Sequence, residues 1–92
     1  MNSQVQIIAH RGYSARFPDN SMEAYQAALD IGADIIEADI RIDGFGTLVC
    51  SHDEPADNPV LFSDLLIFAK NHIRLLLDLK RDTPDFTGYV LD

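Results

Sequence analysis

Basic residues and cysteine are both scarce in this chain. Its 92 residues include 7 Lys and Arg against 15 Asp and Glu, a formal net charge of −8. Binding a nucleic acid needs clustered cations, so this balance argues against a nucleic-acid partner. It does not argue against a small phosphate ligand, which a metal cation and a few focused basic side chains can hold on an acidic protein. The single cysteine, Cys50, rules out an internal disulfide, and nothing here requires an oxidising compartment. Cys50 reads as a small buried strand residue. The opening Met1-Asn2-Ser3-Gln4 lacks the basic-then-apolar pattern of a signal peptide, and no apolar run reaches the length of a bilayer span. A cytoplasmic protein without a membrane span is therefore expected. Apolar residues, by contrast, are plentiful at 47%, which excludes a disordered tail. The length suits one small domain with a modest core.

The apolar residues fall into short, differently spaced runs. Val5 to Ala9 reads as a buried strand that His10-Arg11-Gly12 ends. Tyr13 to Pro18 reads as a loop. Asp19-Asn20-Ser21 offers helix-capping side chains, with Glu23 three residues beyond Asn20. Met22, Tyr25, Ala28 and Leu29 then recur at helical spacing, and Gly32 is placed to end the helix in the left-handed conformation. From Asp34 to Ile42 the period becomes two: Ile36, Ala38, Ile40 and Ile42 alternate with Glu37, Asp39 and Arg41. Asp43-Gly44-Phe45-Gly46 is a turn, and Thr47 to Ser51 is a strand expected to pair back as a hairpin. Glu54 to Pro59 reads as a loop and Leu61 to Lys70 as a short helix with Ser63 near its start. Ile73 to Leu79 is a near-continuous apolar strand of the kind buried on both faces. Arg81 to Gly88 is polar and turn-rich, and Tyr89-Val90-Leu91-Asp92 begins a further element.

This alternation predicts α/β architecture with parallel strands and a short hairpin. Right-handed crossovers would put both helices on one side of the sheet, which in a barrel is the outside. A complete (β/α)8 barrel takes roughly 200 residues or more, so the chain supplies about the first three βα units.

Chemistry-bearing residues sit at the strand ends. Glu37 and Asp39, two apart, share one strand face. Such a pair is commonly a solvated surface. Turned inward, two carboxylates are costly without a cation, and oxygen-only ligation suits Mg²⁺ or Ca²⁺. His10 and His52 both follow strands, where α/β sites form, and two histidines can exchange protons with attacking and leaving oxygens. Arg11 can hold a phosphate through paired hydrogen bonds, or can simply bridge to Glu37 or Asp39. Asp78 and Lys80 share a face, either as a strand-terminal ion pair or as a third metal ligand and a second phosphate cation. His72 precedes a strand and reads as structural or exposed.

With these residues in view the chain resembles the glycerophosphodiester phosphodiesterase family. The resemblance rests on His10-Arg11-Gly12, Pro18-Asp19-Asn20-Ser21, Gly32-Ala33-Asp34, Glu37-Ala38-Asp39, His52-Asp53 and Asp78-Leu79-Lys80, in that order along nearly the whole chain. It implies that residues 1–92 are part of a phosphodiesterase domain, the N-terminal portion of a (β/α)8 TIM barrel. It implies release of glycerol 3-phosphate and an alcohol from a small-molecule glycerophosphodiester. By the same resemblance His10 and His52 are general acid and base and Arg11 contacts phosphate. Glu37, Asp39 and Asp78 hold Ca²⁺ or Mg²⁺, and Lys80 assists in substrate binding. The chain departs from the family pattern in Asp19 for Glu, Ser21 for Thr, Asp78 for Glu, and a short stretch between His52 and Asp78. Two other readings are a truncated remnant without activity and a module that binds metal or phosphate without turnover. An incomplete barrel also leaves sheet edges open, so self-association is expected.

Overall fold

Period-two alternation makes the segment after the first helix the longest strand, and every other strand is placed by it. The computed structural model describes residues 5–53, 58–80 and 89–91. The order is β1 (Ile8–His10), α1 (Met22–Asp30), β2 (Ile35–Ile42), β3 (Leu48–Cys50), β4 (Val60–Leu61), α2 (Phe62–Ala69), β5 (Arg74–Leu79) and β6 (Tyr89–Leu91). Among the described residues the six strands form one sheet, with β2 central. Residues 54–57 of the loop expected from Glu54 to Pro59, and the turn-rich stretch 81–88, lie outside the described residues.

Both edges of β2 are used. Along one edge β5 runs parallel, in register from Ile35↔Arg74 to Ile40↔Leu79. The other edge is shared by two strands. β1 pairs parallel with Ile35–Glu37, and β3 pairs antiparallel with Ile40–Ile42. β1 climbs to Glu37 and β3 descends to Ile40, so the two chains leave the sheet next to each other at Asp39. Two hydrogen bonds fix these exits: Arg11 N–H donates to the Glu37 carbonyl (2.7 Å) and Ser51 N–H to the Asp39 carbonyl (2.9 Å). The hairpin turn forms because Asp43 closes it: its N–H donates to the Thr47 carbonyl (2.8 Å). The Asp43 Oδ1 accepts from the N–H of Phe45 (2.8 Å) and Thr47 (2.9 Å).

One face of the sheet carries the core. Ile36, Ala38, Ile40, Leu75, Leu77 and Cys50 pack with Tyr25 and Ala28 of α1 and with Leu65 and Ala69 of α2. Both helices therefore lie against one face, as the alternation predicts. α1 starts where Ser21 supplies the cap, its Oγ accepting from Ala24 N–H at 3.1 Å. It ends at Ile31, with Gly32 at φ +83° and the Ala33 N–H bonded to the Ala28 carbonyl (3.0 Å). Tyr25 is fully buried, and a side chain of that size contributes on the order of 2 kcal/mol by burial.

The structure differs from the sequence reading in four places. β1 is shorter than the apolar run, because only Ile8–His10 reach β2 in register. Asn20 is not the helix cap; Ser21 is. The two residues of β4 pair with Val49 and Cys50 and precede α2, too short a strand to show a period of its own. β6 runs antiparallel to β5, pairing Leu75↔Leu91 to Leu77↔Tyr89, so β6 and not β5 is the outer strand on that side. β1, by contrast, pairs only with β2 among the described residues.

The glycine of His10-Arg11-Gly12 has a geometric cause. Gly12 sits at φ +80°, and a Cβ there would lie 2.7 Å from the Ala24 carbonyl carbon and 2.8 Å from its Cβ. Gly32 has a similar φ but nothing within 4 Å. Gly32→Ala is expected to lose about 1–2 kcal/mol from the left-handed backbone alone. Gly12→Ala adds the overlap with α1 backbone, on the order of 1–3 kcal/mol more. Urea unfolding of both variants checks the difference.

Candidate functional site

The face of the sheet away from the helices gathers the charged residues. Paired residues on parallel strands project to the same side, and Asp39 is in register with Asp78. Glu37 lies two residues before Asp39 and projects with it. One carboxylate atom from each of Glu37, Asp39 and Asp78 falls within 4.8 Å of the others. Oxygens bound to one Ca²⁺ at about 2.3–2.6 Å stand at most about 5 Å apart, so the spacing fits a single cation. Glu37 is 7% exposed and Asp39 0%.

Basic side chains surround this group. Lys80 Nζ stands 2.8 Å from Asp78 Oδ2 and 3.3 Å from Asp39 Oδ1. Arg11 places Nη1 2.9 Å from Asp19 Oδ2 and Nε 3.0 Å from Asp39 Oδ2. The latter is proximity without alignment, because the buried Nε donates no hydrogen bond. The bridge between Arg11 and Asp39 anticipated from sequence is thus present as an ion pair, and of the five guanidinium N–H donors only one, on Nη1, hydrogen-bonds either carboxylate. Hydrogen bonding to Asp19 first, then the charges of Asp39 and its neighbours, raises the Arg11 value. Hydrogen bonding to Asp78 does the same for Lys80. Burial, then the charge of Asp39, raises the Glu37 carboxyl above the ordinary range, partly offset by His10.

The turn after β1 is strained. Arg11 has φ 60° and Gly12 φ 80°, two successive left-handed residues. For a non-glycine this costs about 1–2 kcal/mol. The bend turns the Arg11 N–H onto both the Glu37 carbonyl (2.7 Å) and its Oε1 (3.0 Å). His10 stays at the rim, its side chain 65% exposed and Nε2 3.6 Å from Glu37 Oε1. Ser14 Oγ donates to the His10 carbonyl (3.0 Å).

His52 arrives by a different route. It follows the descending arm of the hairpin, and Arg41, on the same face of β2 as Asp39, donates from Nε to the His52 carbonyl (3.1 Å). His52 Nδ1 lies 3.2 Å from Asp53 Oδ1. It lines a cleft of about 470 Å³ with Asp19, Asn20, Met22, Asp53 and Val60. Neither His10 nor any of the three clustered carboxylates lines that cleft. His72 is exposed, as expected.

Sequence reading missed two residues of the site. Arg41 was visible only as a charge in the alternation. Asn20 was one of three candidate caps, and only one of three neighbours can cap a helix. Asn20 is instead buried, at 4% exposure, and its Nδ2 donates to Asp39 Oδ2 (3.0 Å). Its Oδ1 accepts from the Tyr25 hydroxyl (2.8 Å) and the Asp39 N–H (3.2 Å). Asp39 Oδ1 is left buried with no hydrogen bond.

Clustered carboxylates and basic side chains on one face of a mixed α/β sheet, with His10 and His52 following β1 and β3, define a class: proteins equipped for phosphoester chemistry. Comparison with known proteins narrows it. The model of the glycerophosphoryl diester phosphodiesterase family matches residues 10–81. A probable glycerophosphodiester phosphodiesterase 1 of Mycobacterium tuberculosis is 47% identical over 51 residues, 55% of this chain and 19% of that protein. A glycerophosphodiester phosphodiesterase of Caldanaerobacter subterraneus is 45% identical over 51 residues, 55% of this chain and 21% of that protein. Among solved structures, the enzyme of that name from Agrobacterium tumefaciens superposes with a TM-score of 0.76 at 24% identity, over 85% of this chain and 48% of that one. One from Parabacteroides distasonis gives 0.64 at 27% identity, over 87% and 44%. The chain belongs to the glycerophosphoryl diester phosphodiesterase family, whose named relatives are phosphoric diester hydrolases. It spans about a fifth of the length of these curated relatives.

Cys50 lies on the opposite face, in the core. Burial is the largest cause that pushes its thiol up to about 11 from an ordinary 9.0. Folded chain at pH 8 is expected to react with iodoacetamide about 100-fold more slowly than chain unfolded in urea, because the thiolate is the nucleophile. The gap should narrow as pH rises toward that value. Equal labelling of folded and unfolded chain at pH 8 would contradict the placement of Cys50.

Proposed function

We propose that residues 1–92 form the N-terminal part of a (β/α)8 phosphodiesterase domain. On this reading the site serves cation-dependent hydrolysis of a glycerophosphodiester to glycerol 3-phosphate and an alcohol. The observation that carries it is the convergence of Glu37, Asp39 and Asp78, with one Asp39 oxygen buried and lacking a hydrogen bond. An all-oxygen, all-carboxylate donor set favours a hard cation, Ca²⁺ or Mg²⁺. Such a cation would neutralise phosphoryl charge and polarise a phosphoryl oxygen.

The chain's own residues supply the remainder. Arg11 presents its uncommitted N–H donors to a phosphate oxygen, while Asp19 and Asp39 keep the guanidinium plane in place. Lys80 adds a second positive charge beside Asp78 and Asp39. His10 and His52 act as acid and base: one accepts the proton of the attacking hydroxyl and the other returns a proton to the departing alkoxide. Exposure of both rings leaves them accessible to a substrate.

β6 favours a second reading. It runs antiparallel to β5 on the edge where a (β/α)8 barrel carries its next parallel strand. A chain so arranged would bind a cation and a phosphate without efficient turnover, because positioning supplies much of catalysis.

Assays of the purified chain separate the two. Both readings expect glycerol 3-phosphate to bind more tightly with Mg²⁺ or Ca²⁺ than with chelator. The first also expects slow, chelator-sensitive release of glycerol 3-phosphate from a glycerophosphodiester. In that reaction His10→Ala and His52→Ala should each lose about 10²–10⁴-fold in rate. Binding indifferent to the cation would overturn both readings, and near-normal turnover by His52→Ala would overturn its assignment.

A further inference from the structure

We infer that Asn20, backed by the Tyr25 hydroxyl, is the positioning residue that holds Asp39 toward the cation. The inference rests on the proposed cation site and goes beyond it, by assigning the geometry of one ligand to a residue of the α1 approach.

A single amide grips both the main chain and the side chain of Asp39. Asn20 Oδ1 accepts the Asp39 N–H at 3.2 Å, and Asn20 Nδ2 donates to Asp39 Oδ2 at 3.0 Å. The orientation of the amide is not arbitrary. A backbone N–H can only donate and a carboxylate only accept, so oxygen must face the first and nitrogen the second. The Tyr25 hydroxyl donates to the same Oδ1 at 2.8 Å, and Tyr25 is itself fully buried. Asn20 in turn is tied to the β1 exit, its N–H donating to the Arg11 carbonyl at 2.9 Å.

This clamp distinguishes the two oxygens of Asp39. Oδ2 faces Asn20 and Arg11. Oδ1 is the oxygen that shares Lys80 with Asp78, so it lies on the side of the carboxylate cluster. Without the amide, the carboxylate would lose the hydrogen bond that opposes rotation about its Cβ–Cγ bond and keep only the ion pairs with Arg11 and Lys80. Helix capping does not explain Asn20, because Ser21 performs it. Nor does a preference for φ 59° explain a carboxamide whose oxygen and nitrogen both close on one acidic residue.

Partners that orient a metal ligand typically contribute about 10–100-fold to metal affinity. The test is Mn²⁺ binding to the purified chain, followed by the loss of free-ion electron paramagnetic resonance signal. Asn20→Ala is expected to weaken binding about 10–100-fold. Tyr25→Phe, which keeps the ring and removes one hydroxyl, is expected to weaken it by a smaller factor. Gly32→Ala lowers stability at the far end of α1 and is expected to leave Mn²⁺ affinity unchanged. Asp39→Asn tests the site itself. If Asp39→Asn loses binding while Asn20→Ala and Tyr25→Phe bind as the unaltered chain does, the inference is wrong and the cation site stands. The inference is equally wrong if Gly32→Ala weakens binding as much as Asn20→Ala, since the effect is then one of stability. Should Asn20→Ala fail to fold, Tyr25→Phe decides alone. If the unaltered chain binds no Mn²⁺, or Asp39→Asn binds equally well, the cation reading falls and this inference with it.

Discussion

A carboxylate buried in the middle of a sheet is expensive, and the side chain of Asp39 is only 1% exposed. An unpaired ion in such a place costs several kcal/mol even after the protein relaxes around it. The chain meets this constraint from several directions at once. Asn20 donates to one oxygen, Arg11 stands beside the same oxygen, and Lys80 approaches the other. Each compensating group then imposes its own requirement. Arg11 reaches Asp39 from a left-handed turn, that turn continues through Gly12, and Gly12 passes so close to Ala24 that no other residue fits without displacement. Asn20 needs the left-handed backbone just before α1 and the buried Tyr25 hydroxyl one turn later. The start of the helix, the end of β1 and the centre of β2 are therefore one coupled arrangement.

The second organising feature is the shared edge of β2. A parallel strand and an antiparallel strand meet it end to end, and both leave the sheet beside Asp39. Placing His52 after a strand does not by itself say which end of the sheet it reaches, because β3 runs opposite to β1 and β5. The hairpin supplies the answer: Asp43 closes a tight turn, the chain doubles back, and Ser51 bonds to the Asp39 carbonyl before His52 emerges. Arg41 then ties the His52 carbonyl to the same strand face that carries Glu37 and Asp39. A longer turn or a one-residue slip would move His52 away and carry Cys50 from the core to the charged face.

Much of this was legible in the sequence, for physical reasons. Strict alternation over Ile36 to Ile42 identified β2 and its two faces, because a sheet covered by helices on one side imposes that period. Gly32 marked the end of α1 because a left-handed residue closes the helix there. Glu37, Asp39 and Asp78 share a face by two-residue spacing on one strand and by register on the next. What was illegible depended on contacts distant in sequence. The choice of Ser21 over Asn20 as cap follows from Asp39, nineteen residues further on. β4 exists because Val49 and Cys50 offer a free edge, and β6 because β5 does. The separation of His10 from the cleft that His52 lines follows from the opposed directions of β1 and β3, which periodicity does not reveal.

On the proposed reading, the charges themselves explain why basic side chains lie against the acids they might be expected to leave for a substrate. Three carboxylates face Arg11 and Lys80, leaving one net negative charge before Asp19 is counted. In that state the ammonium and guanidinium partly satisfy oxygens that would otherwise be buried and bare. A divalent cation on the same oxygens adds two positive charges and shifts the local balance toward accepting a phosphodiester monoanion. Arg11 and Lys80 then need not move far to change partners, since they already border the oxygens a phosphate would adjoin. The acidity of the whole chain is no obstacle, because what a phosphate meets is the local field of this face rather than the net charge of −8. The groups that make Asp39 tolerable in the fold are thus the groups that would hold the substrate, and stability and binding draw on the same few contacts.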